Sequence, residues 1–491
     1  MNDWTFLIFC GGLVVTGIVA CGILLARREA RTLDSLRFEL LDDLRRTEAQ
    51  FIAEQKLRPI VRRLNERTQP SRLARVQLAL TGAMLCAQPL WTVASDGDWP
   101  QWRGPERNGH FIGPAWADRL DTKHLQQTWR MELGPSYSGP IVSGDRVFTT
   151  ETKDKKFEIV RALDRNTGKE LWKTEWEGAI SVPFFAKSNG DWLRATPACD
   201  GESLFVAGMR DVLVCLDVQT GKERWRVDFV KKLETPAPDF GFVCSPLVDG
   251  DAVHVQAGAS FLKLNKRTGE IIWRTLEDKG GMWGSVFSSP MIAEIAGRRQ
   301  LVVQTRQKLA GVDPANGAVL WEQPVEAFRG MNILTPVVEG DIVFTSTYGG
   351  KTIGFNVTQA EGKFTVTEAW RHKAQGYMST PVVIGGVAYN HLKSQRVMAI
   401  EVATGRELWT SEKSFGKYWS IVAQGDRILA LDERGALHLL KANHQTFDLL
   451  DSRKVAEAET WAHLAVAGDQ VFIRELNALS VFKWSSVSKA P

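Results

Sequence analysis

The residue types that most often carry out catalysis or bind metals are sparse and scattered in this chain. Its six cysteines include no C-x-x-C motif and no adjacent pair, and the spacing of its eight histidines matches no metal site. Gly258-Ala259-Ser260 does not complete a nucleophile motif, and Gly349-Gly350-Lys351-Thr352 lacks the spacing of a phosphate-binding loop. The sequence therefore predicts no catalytic residue and no metal site.

Aromatic and basic residues form a clearer pattern, because they recur close to a repeated pair of a small residue and proline. Trp, Tyr, Phe and Arg are enriched in recognition surfaces. The alternative is that several of these residues only fill space between neighbouring repeats. We expect the set to form a surface that binds a ligand or a partner protein, with these members: Tyr137, Trp192, Arg194, Phe242, Trp283, Arg329, Asn332, Tyr377, Lys417, Trp419 and Trp461.

The proline pairs mark the first half of a repeating unit, in which a short apolar run, a tight turn and an alternating strand follow. Successive prolines are separated by 57, 49, 44, 46 and 45 residues. Self-similarity at such a period is typical of repeat architectures. The pairs are Gly139-Pro140, Thr196-Pro197, Ser245-Pro246, Ser289-Pro290, Thr335-Pro336 and Thr380-Pro381.

The second half of the unit is a glycine turn followed four residues later by tryptophan. Glycine suits the left-handed position of a tight turn, and a tryptophan on an outer strand can fill the gap between adjacent sheets. The turn after Thr335-Pro336 is rewritten, but its tryptophan is kept. The predicted structural residues are Trp129, Gly168, Trp172, Gly221, Trp225, Gly269, Trp273, Gly317, Trp321, Trp370, Gly405 and Trp409.

Counting the strands predicts how the repeats close. There are eight starts of inner strands and eight outer strands, but the counts agree only if Gln126–Leu133 supplies the outer strand of the last repeat. This predicts an all-β, eight-bladed β-propeller of four-stranded antiparallel blades with no free sheet edge. Residues before the inner strands would then surround the mouth of the central channel. A β-sandwich or an open solenoid would leave an orphan strand at each end.

Composition and charge exclude several other classes. With 44% hydrophobic and 24% charged residues the chain is globular rather than disordered. The net charge is +4, but residues 27–75 carry 13 Lys and Arg against 8 Asp and Glu, and the chain beyond residue 75 is neutral. A nucleic-acid partner would call for a basic face, so none is predicted.

The first 95 residues contain two hydrophobic segments separated by a charged one. Trp4–Ala26 contains no charge and is long enough to cross a hydrocarbon core of about 30 Å, so residues 1–26 are predicted to form a transmembrane helix. Arg27, Arg28 and Arg31 place the end of this helix in the cytoplasm. Residues 27–75 are predicted to form a basic, helical juxtamembrane segment.

Residues 76–95 are a second hydrophobic segment with two interpretations. The apolar core Val76–Ala87 has the length of a signal peptide, and Thr92-Val93-Ala94 offers small residues suited to cleavage before Ser95. The alternative is a second transmembrane crossing. Either interpretation delivers the propeller, residues 96–491, to the periplasm or the cell envelope, outside the cytoplasm.

The opening of the propeller segment carries a family resemblance. Asp98-Trp99-Pro100-Gln101-Trp102-Arg103-Gly104-Pro105, followed by Asn108-Gly109 and by the repeat itself, resembles the PQQ-like (pyrroloquinoline quinone) β-propeller repeat family. That family includes quinoprotein alcohol dehydrogenases and noncatalytic lipoproteins that assist outer-membrane assembly. The resemblance covers roughly residues 96–484, and it implies a fold but not an activity.

The resemblance leaves two functions open. The first is a noncatalytic scaffold that binds an envelope protein or a small ligand at its channel rim, with no cofactor. The second is a PQQ-dependent oxidoreductase, for which the resemblance implies PQQ with calcium, a tryptophan floor and often a disulfide between adjacent cysteines. Because adjacent cysteines and clustered carboxylates are missing from the sequence, the scaffold is the favoured prediction.

Overall fold

The computed structural model describes residues 97–279 and 284–485, with only the backbone of residues 185, 188 and 189. The predicted transmembrane helix at residues 1–26 and the segments at 27–75 and 76–95 lie outside the described residues. Within the described ranges, no helix has both the length and the apolar composition that a bilayer crossing requires.

Short strands make up nearly half of the described residues. Their bounds in chain order are β1 Leu125–Glu132, β2 Ile141–Ser143, β3 Arg146–Lys153, β4 Phe157–Asp164, β5 Glu170–Glu177, β6 Ala198–Cys199, β7 Ser203–Gly208, β8 Val212–Asp217, β9 Glu223–Asp228, β10 Leu247–Asp249, β11 Ala252–Ala257, β12 Ser260–Asn265, β13 Ile271–Thr275, β14 Met291–Ile295, β15 Arg298–Gln304, β16 Lys308–Val312, β17 Val319–Pro324, β18 Val337–Glu339, β19 Ile342–Ser346, β20 Thr352–Ala360, β21 Lys363–His372, β22 Val382–Ile384, β23 Val387–His391, β24 Val397–Glu401, β25 Glu407–Thr410, β26 Trp419–Gln424, β27 Arg427–Asp432, β28 Ala436–Lys441, β29 Asp448–Lys454, β30 Ala465–Ala467, β31 Gln470–Glu475 and β32 Ala478–Trp484. A short helix, α1, covers Phe229–Leu233, and 3-10 turns cover Phe184–Asn189 and Phe328–Gly330.

The strands form eight four-stranded antiparallel sheets, which confirms the predicted eight-bladed propeller. Blade 1 contains β2–β5, each later blade takes the next four strands, and within a blade we name the strands A to D from the channel outward. Blade 8 takes its D strand from the start of the domain, since β1 pairs with β32 from Leu125 opposite Trp484 to Glu132 opposite Ala478. The ring therefore closes by joining the two ends of the domain, as the strand count predicts.

The antiparallel order gives the ring two different faces. The A–B and C–D turns lie at one end of the strands, and we call this end the turn face. The B–C turns and the connections from each D strand to the next A strand lie at the other end, which we call the loop face. Residues immediately before the A strands belong to the loop face.

On the turn face, five tryptophans of the repeat each pack on the glycine turn of the following blade. Gly405 has a φ of 71°, and a Cβ atom there would lie 2.4 Å from the ring of Trp370. The indole N–H of Trp370 donates to the carbonyl of Val402 in the same turn, at 2.8 Å. The same Trp-on-Gly contact occurs in the pairs Trp129–Gly168, Trp172–Gly221, Trp225–Gly269 and Trp273–Gly317.

Trp409 and Trp321 are exceptions, because the blade that follows each of them lacks the glycine turn. The indole N–H of Trp409 donates to the carbonyl of Asn443 in blade 7, at 2.8 Å. In the blade that follows Trp321, β20 and β21 extend into a long hairpin that ends at Ala360 and Lys363. The indole N–H of Trp321 instead donates to Gln300 Oε1 of its own blade, at 2.6 Å. The altered turn of blade 5 therefore changes the hydrogen-bond partner of Trp321 in blade 4, although Trp321 remains buried.

The small residue before each proline links adjacent blades near the channel. The amide N–H of Ser245 donates to the hydroxyl of Ser289 at 2.9 Å, and the amide of Ser289 donates to Thr335 Oγ1 at 3.0 Å. This chain of bonds begins at Gly139, whose amide donates to Thr196 Oγ1 at 3.1 Å, and reaches Thr380. Hydroxyl residues recur at these positions because each one satisfies a buried amide of the preceding blade.

The core consists of apolar side chains packed between neighbouring blades. Cys199, Cys215 and Cys244 are buried free thiols in this packing, and burial raises the pKa of each to about 12. At neutral pH they are therefore protonated and behave as small apolar residues.

Candidate functional site

Residues 98–111 fold into the central channel, and we call this segment the plug. Trp99 exchanges two backbone hydrogen bonds of 2.9 Å with Val142 on the A strand of blade 1. The carbonyl of Pro100 accepts from the amide of Cys199 in blade 2 at 2.8 Å. On the opposite side, Ala423 of blade 7 bonds to Gly109 and Phe111, each at 2.8 Å. The plug thus pairs with exposed edges of inner strands around the ring.

Two buried arginines fasten the plug to the starts of other A strands. Arg103 donates to the carbonyls of Thr380 and Pro381 in blade 6, both at 2.7 Å. Arg107 donates to the carbonyls of Pro246 and Ser245 in blade 3, at 2.6 and 3.1 Å. Burial lowers the pKa of Arg103 to about 9 and that of Arg107 to about 10, so both remain cationic at neutral pH.

Trp102 is the half-buried side chain at the centre of the plug. The guanidinium carbons of Arg103 and Arg107 lie 5.6 and 5.4 Å from its ring centroid, and the imidazole of His463 meets it edge-on at 5.9 Å. Burial, followed by the charge of Arg103, lowers the pKa of His463 to about 3. The channel is therefore cationic around an aromatic ring. The sequence motif that carries the family resemblance forms this plug, a role that its residue types alone did not indicate.

Three residues predicted for the rim lie in the interior instead. Phe242 packs edge-on against Phe229 of α1, at 6.2 Å between ring centroids. Asn332 donates from its amide to the carbonyls of Thr305 and Arg306. Trp419 is the first residue of β26 and stacks between His391 and His438. All three side chains are at most 2% exposed, so they stabilise the packing between elements and present no surface to a partner.

Three other predicted residues come together on the loop face, in a group that we call the Trp461 cluster. Its members are Tyr137, Arg194, Tyr418 and Trp461. Trp461 stacks on Tyr418 at 5.9 Å and meets Tyr137 at 6.1 Å, and the Arg194 guanidinium lies 5.4 Å from the ring centroid of Tyr137. The indole N–H of Trp461 donates to Glu459 at 2.9 Å. Burial raises the pKa of both tyrosines, which keeps their hydroxyls protonated.

A second group, the Phe328 cluster, contains the predicted residues Arg329 and Tyr377. Its other members are Phe328, Tyr348 and Lys393. The ring of Tyr348 lies 5.0 Å from Tyr377 and 5.8 Å from Phe328. Lys393 Nζ lies 5.0 Å from the Tyr348 ring centroid, and the Arg329 guanidinium lies 4.9 Å from that of Phe328. Each of these cations is attracted by the quadrupole of the aromatic ring beneath it.

The remaining predicted rim residues are less informative. Lys417 is exposed on the loop face, and Trp192 is half-buried beside Gly190. Trp283 lies outside the described residues. Sequence reasoning missed Phe328, Tyr348, Lys393 and Tyr418. Tyr348 and Lys393 follow B strands, and their position in B–C turns of the same face is the signal that could have identified them.

Two carboxyl groups join the B–C turns of the first three blades. Glu158 accepts hydrogen bonds from the Met209 amide at 2.6 Å and from the Trp176 indole at 2.7 Å. Asp211 accepts from the amide of Gly258 at 2.8 Å. Burial raises the pKa of both carboxyl groups to about 7, so their protonation changes near neutral pH.

The alternative prediction of PQQ with calcium requires a cluster of oxygen ligands that includes carboxylates. Among the side chains of residues 97–279 and 284–485, no three His, Cys, Asp or Glu residues converge as a possible metal site. The channel offers the ring of Trp102 and the two arginines, but their guanidinium groups are engaged by backbone carbonyls. The described residues therefore do not match the calcium part of that cofactor.

Comparison with known proteins agrees with this architecture. A family model described as "Outer membrane protein assembly factor BamB" matches residues 155–411, a little more than half of the chain. The chain belongs to this family of PQQ-like propellers. Family membership thus confirms the resemblance that the repeat and its opening segment indicate.

Individual relatives of this BamB family member are distant. The outer membrane protein assembly factor BamB of Yersinia pestis is 24% identical over 302 residues, which cover 57% of this chain and 73% of the relative. A polyvinylalcohol dehydrogenase of Sphingopyxis is 26% identical over 264 residues, which cover 45% of this chain and 39% of that enzyme. The crystal structure of BamB from Moraxella catarrhalis superposes with a TM-score of 0.54 and 16% identity, over 74% of this chain and 99% of that one. The superposition shows a shared fold.

Proposed function

We propose that this protein is a noncatalytic scaffold of the cell envelope that binds a partner protein at its loop face. The observation that carries the proposal is the gathering of aromatic and cationic side chains into two clusters on one face. Aromatic rings supply large contact areas at low cost in side-chain entropy, and Arg and Lys add orientation. The BamB relatives, whose names place them in outer-membrane protein assembly, support the same interpretation.

The location rests on the amino-terminal sequence. Residues 1–26 and 76–95 have the composition of a membrane helix and of a signal or second membrane segment. Whether residues 76–95 are a signal peptide or a second membrane crossing, the propeller would lie outside the cytoplasm, where an envelope partner is available. Fractionation of cells that express the full chain tests this part, and recovery of the propeller in the cytosol would contradict it.

Site-specific photocrosslinking in cells tests the binding face. A photoreactive phenylalanine analogue would replace Tyr137, Tyr377 or Trp461 on the loop face, and Lys169 or Lys222 on the turn face as matched controls. We expect the same crosslinked protein from the loop-face positions and none from the turn-face positions. Crosslinks that are equally frequent from both faces would refute the proposal.

A PQQ-dependent oxidoreductase is the second candidate, because the polyvinylalcohol dehydrogenase matches part of the chain. Calorimetric titration of the full-length protein with PQQ and calcium, followed by a dye-linked alcohol oxidation assay, separates the two candidates. Saturable binding with turnover would replace the scaffold proposal. Binding without turnover would indicate a cofactor carrier, and absence of binding is the result that the scaffold predicts.

A further inference from the structure

The loop face is divided by charge as well as by its two aromatic clusters. Around the Phe328 cluster, the loop-face segments 325–336, 347–351, 373–381, 392–396 and 411–418 carry seven Lys and Arg against two Glu, a net charge of +5. We call these segments the basic sector. Around the Trp461 cluster, the segments 133–140, 178–197, 433–435, 455–464 and 476–477 carry three Lys and Arg against four Asp and Glu, a net charge of −1.

We propose that the basic sector binds an acidic, phenylalanine- or tyrosine-containing polypeptide segment of the partner protein. Carboxylates of that segment would pair with Lys373 and Lys393, and its aromatic side chain would pack on Phe328, Tyr348 and Tyr377. This inference rests on the proposed scaffold function and adds the chemistry of the partner.

Phe328 is held in place although its ring is exposed. Its backbone amide donates to the carbonyl of Tyr348 at 2.7 Å, and a Cβ atom on Gly349 would lie 2.9 Å from Phe328 Cβ. Its ring nevertheless remains 51% exposed. The neighbouring Arg329 has a φ of 56°, a left-handed conformation that is unfavourable for a residue with a side chain. An aromatic anchor that is fixed by these backbone contacts loses little entropy on binding.

The lysine side chains of the basic sector are exposed, so they can form ion pairs with a partner protein. Lys373, Lys393 and Lys417 are exposed, and the described contacts of Lys393 Nζ are to the ring of Tyr348 rather than to a carboxylate. The acidic Glu407 beside them contacts His372 at 3.1 Å. Electrostatic complementarity of this type raises the association rate and selects against cationic partners.

A cavity next to the cluster provides room for a side chain of the partner. Its volume is about 570 Å³, and its lining includes Lys373, Lys393, Gln375, Ser394 and His372 together with one acidic residue, Glu407. Gln375 also donates to the carbonyl of Gly350 at 3.2 Å, which connects the cavity wall to the turn that carries Tyr348. Anchor, cations and cavity therefore form one continuous surface across blades 5 and 6.

Fluorescence anisotropy with the full-length protein in detergent tests the proposal. The probe is a fluorescein-labelled peptide rich in Asp and Glu that contains two Phe residues. Comparison peptides replace either both Phe by Ser or every acid by Lys. We expect saturable binding of the first peptide, binding about tenfold weaker without Phe, and no binding of the Lys peptide. Affinity should also fall as salt concentration rises.

Matched variants locate the binding. Lys373→Glu/Lys393→Glu should weaken peptide binding at least about tenfold, whereas Lys169→Glu/Lys222→Glu, two exposed lysines of the turn face, should not change it. Phe328→Ala should weaken binding, and Phe184→Ala, which removes an 83% exposed ring from another loop, should not. Unchanged melting temperatures show that each variant is folded.

Each contrary result has a definite meaning. Equal binding of the Lys peptide, or equal effects of both lysine pairs, would overturn the proposal. Binding of the full-length protein to vesicles with added phosphatidylglycerol, lost in Lys373→Glu/Lys393→Glu while the acidic peptide fails to bind, would assign the sector to lipid and also overturn it. If the peptide fails but photocrosslinks from the loop face persist, the sector inference fails and the scaffold function stands.

Discussion

The turn face and the loop face of this ring differ in how much their connections vary. The A–B turns contain two or three residues in every blade, whereas the connections that precede the A strands contain between 8 and 20. On the turn face a tryptophan packs on the next glycine turn in five pairs of blades. On the loop face, each aromatic cluster occurs once. The repeated contacts of the turn face stabilise the ring. The variable connections of the loop face create a surface that a particular partner can recognise.

The largest expected difference between the faces is the effect of removing a tryptophan. Trp172→Ala removes a buried ring and the indole bond to the carbonyl of Val218, so it should lower the free energy of unfolding by about 3–5 kcal/mol. Trp461→Ala on the loop face removes a half-buried ring and should cost less than about 1 kcal/mol. Urea denaturation followed by fluorescence measures both. Equal losses of unfolding free energy in the two variants would contradict the different roles of the turn face and the loop face.

Glycine substitutions sharpen the comparison within the turn face itself. Gly405 and Gly425 both have positive φ, but a Cβ atom would collide with Trp370 only at Gly405 and would meet open space at Gly425. Gly425→Ala should cost about 1–2 kcal/mol from backbone strain, and Gly405→Ala about 1–3 kcal/mol more from overpacking. The difference in unfolding free energy between the two variants isolates the tryptophan contact, and a difference near zero would show that the contact relaxes.

The hydroxyl links near the channel predict a smaller effect. Ser289→Ala removes the acceptor of the buried Ser245 amide and should cost about 1–3 kcal/mol. Ser394→Ala, which removes an exposed hydroxyl from a B–C turn, should change the unfolding free energy by no more than about 0.5 kcal/mol. Thermal unfolding by calorimetry distinguishes these values, and similar melting temperatures for both variants would argue against the proposed links.

The last comparison concerns the dependence of stability on pH, to which a buried carboxyl group of the loop face contributes. Burial raises the folded-state pKa of Glu158 from 4.5 to about 7, so the folded chain binds this proton more tightly than the unfolded chain. The resulting stabilisation is complete below about pH 4.5 and is lost as pH rises through about 7. The urea midpoint should therefore fall less steeply between pH 5 and 8 in Glu158→Gln than in the wild type. Glu132→Gln, at an exposed position, should retain the wild-type slope.

The fold could be predicted from the sequence because each repeat contains the residues that determine its own turn and its contact with the adjacent blade. A glycine four residues before a tryptophan fixes a turn and a contact, and counting such units is enough to infer a closed ring. The pairing of β1 with β32 followed from the same count, although the two strands lie more than 340 residues apart.

The candidate site was predicted less completely because its residues depend on contacts between different loops. The sequence predicts Trp419 at the rim, but β26 begins with this residue, so its side chain lies between blades. Phe328 and Tyr348 come together only because a connection and a B–C turn meet on one face. The plug depends on carbonyls of blades 3 and 6, which the local sequence around Arg103 and Arg107 does not reveal.

The pairing of β1 with β32 has a consequence for the order of events during synthesis. The ribosome completes β1 first among the strands and β32 last, so the eighth sheet cannot assemble until nearly the whole domain has emerged. The plug and β1 lie in the same leading stretch, and contacts of such large sequence separation form slowly. Until β32 has emerged, the nascent chain keeps an incomplete eighth blade and an unpaired β1. β1 must therefore be kept from pairing with other strands until the ring closes.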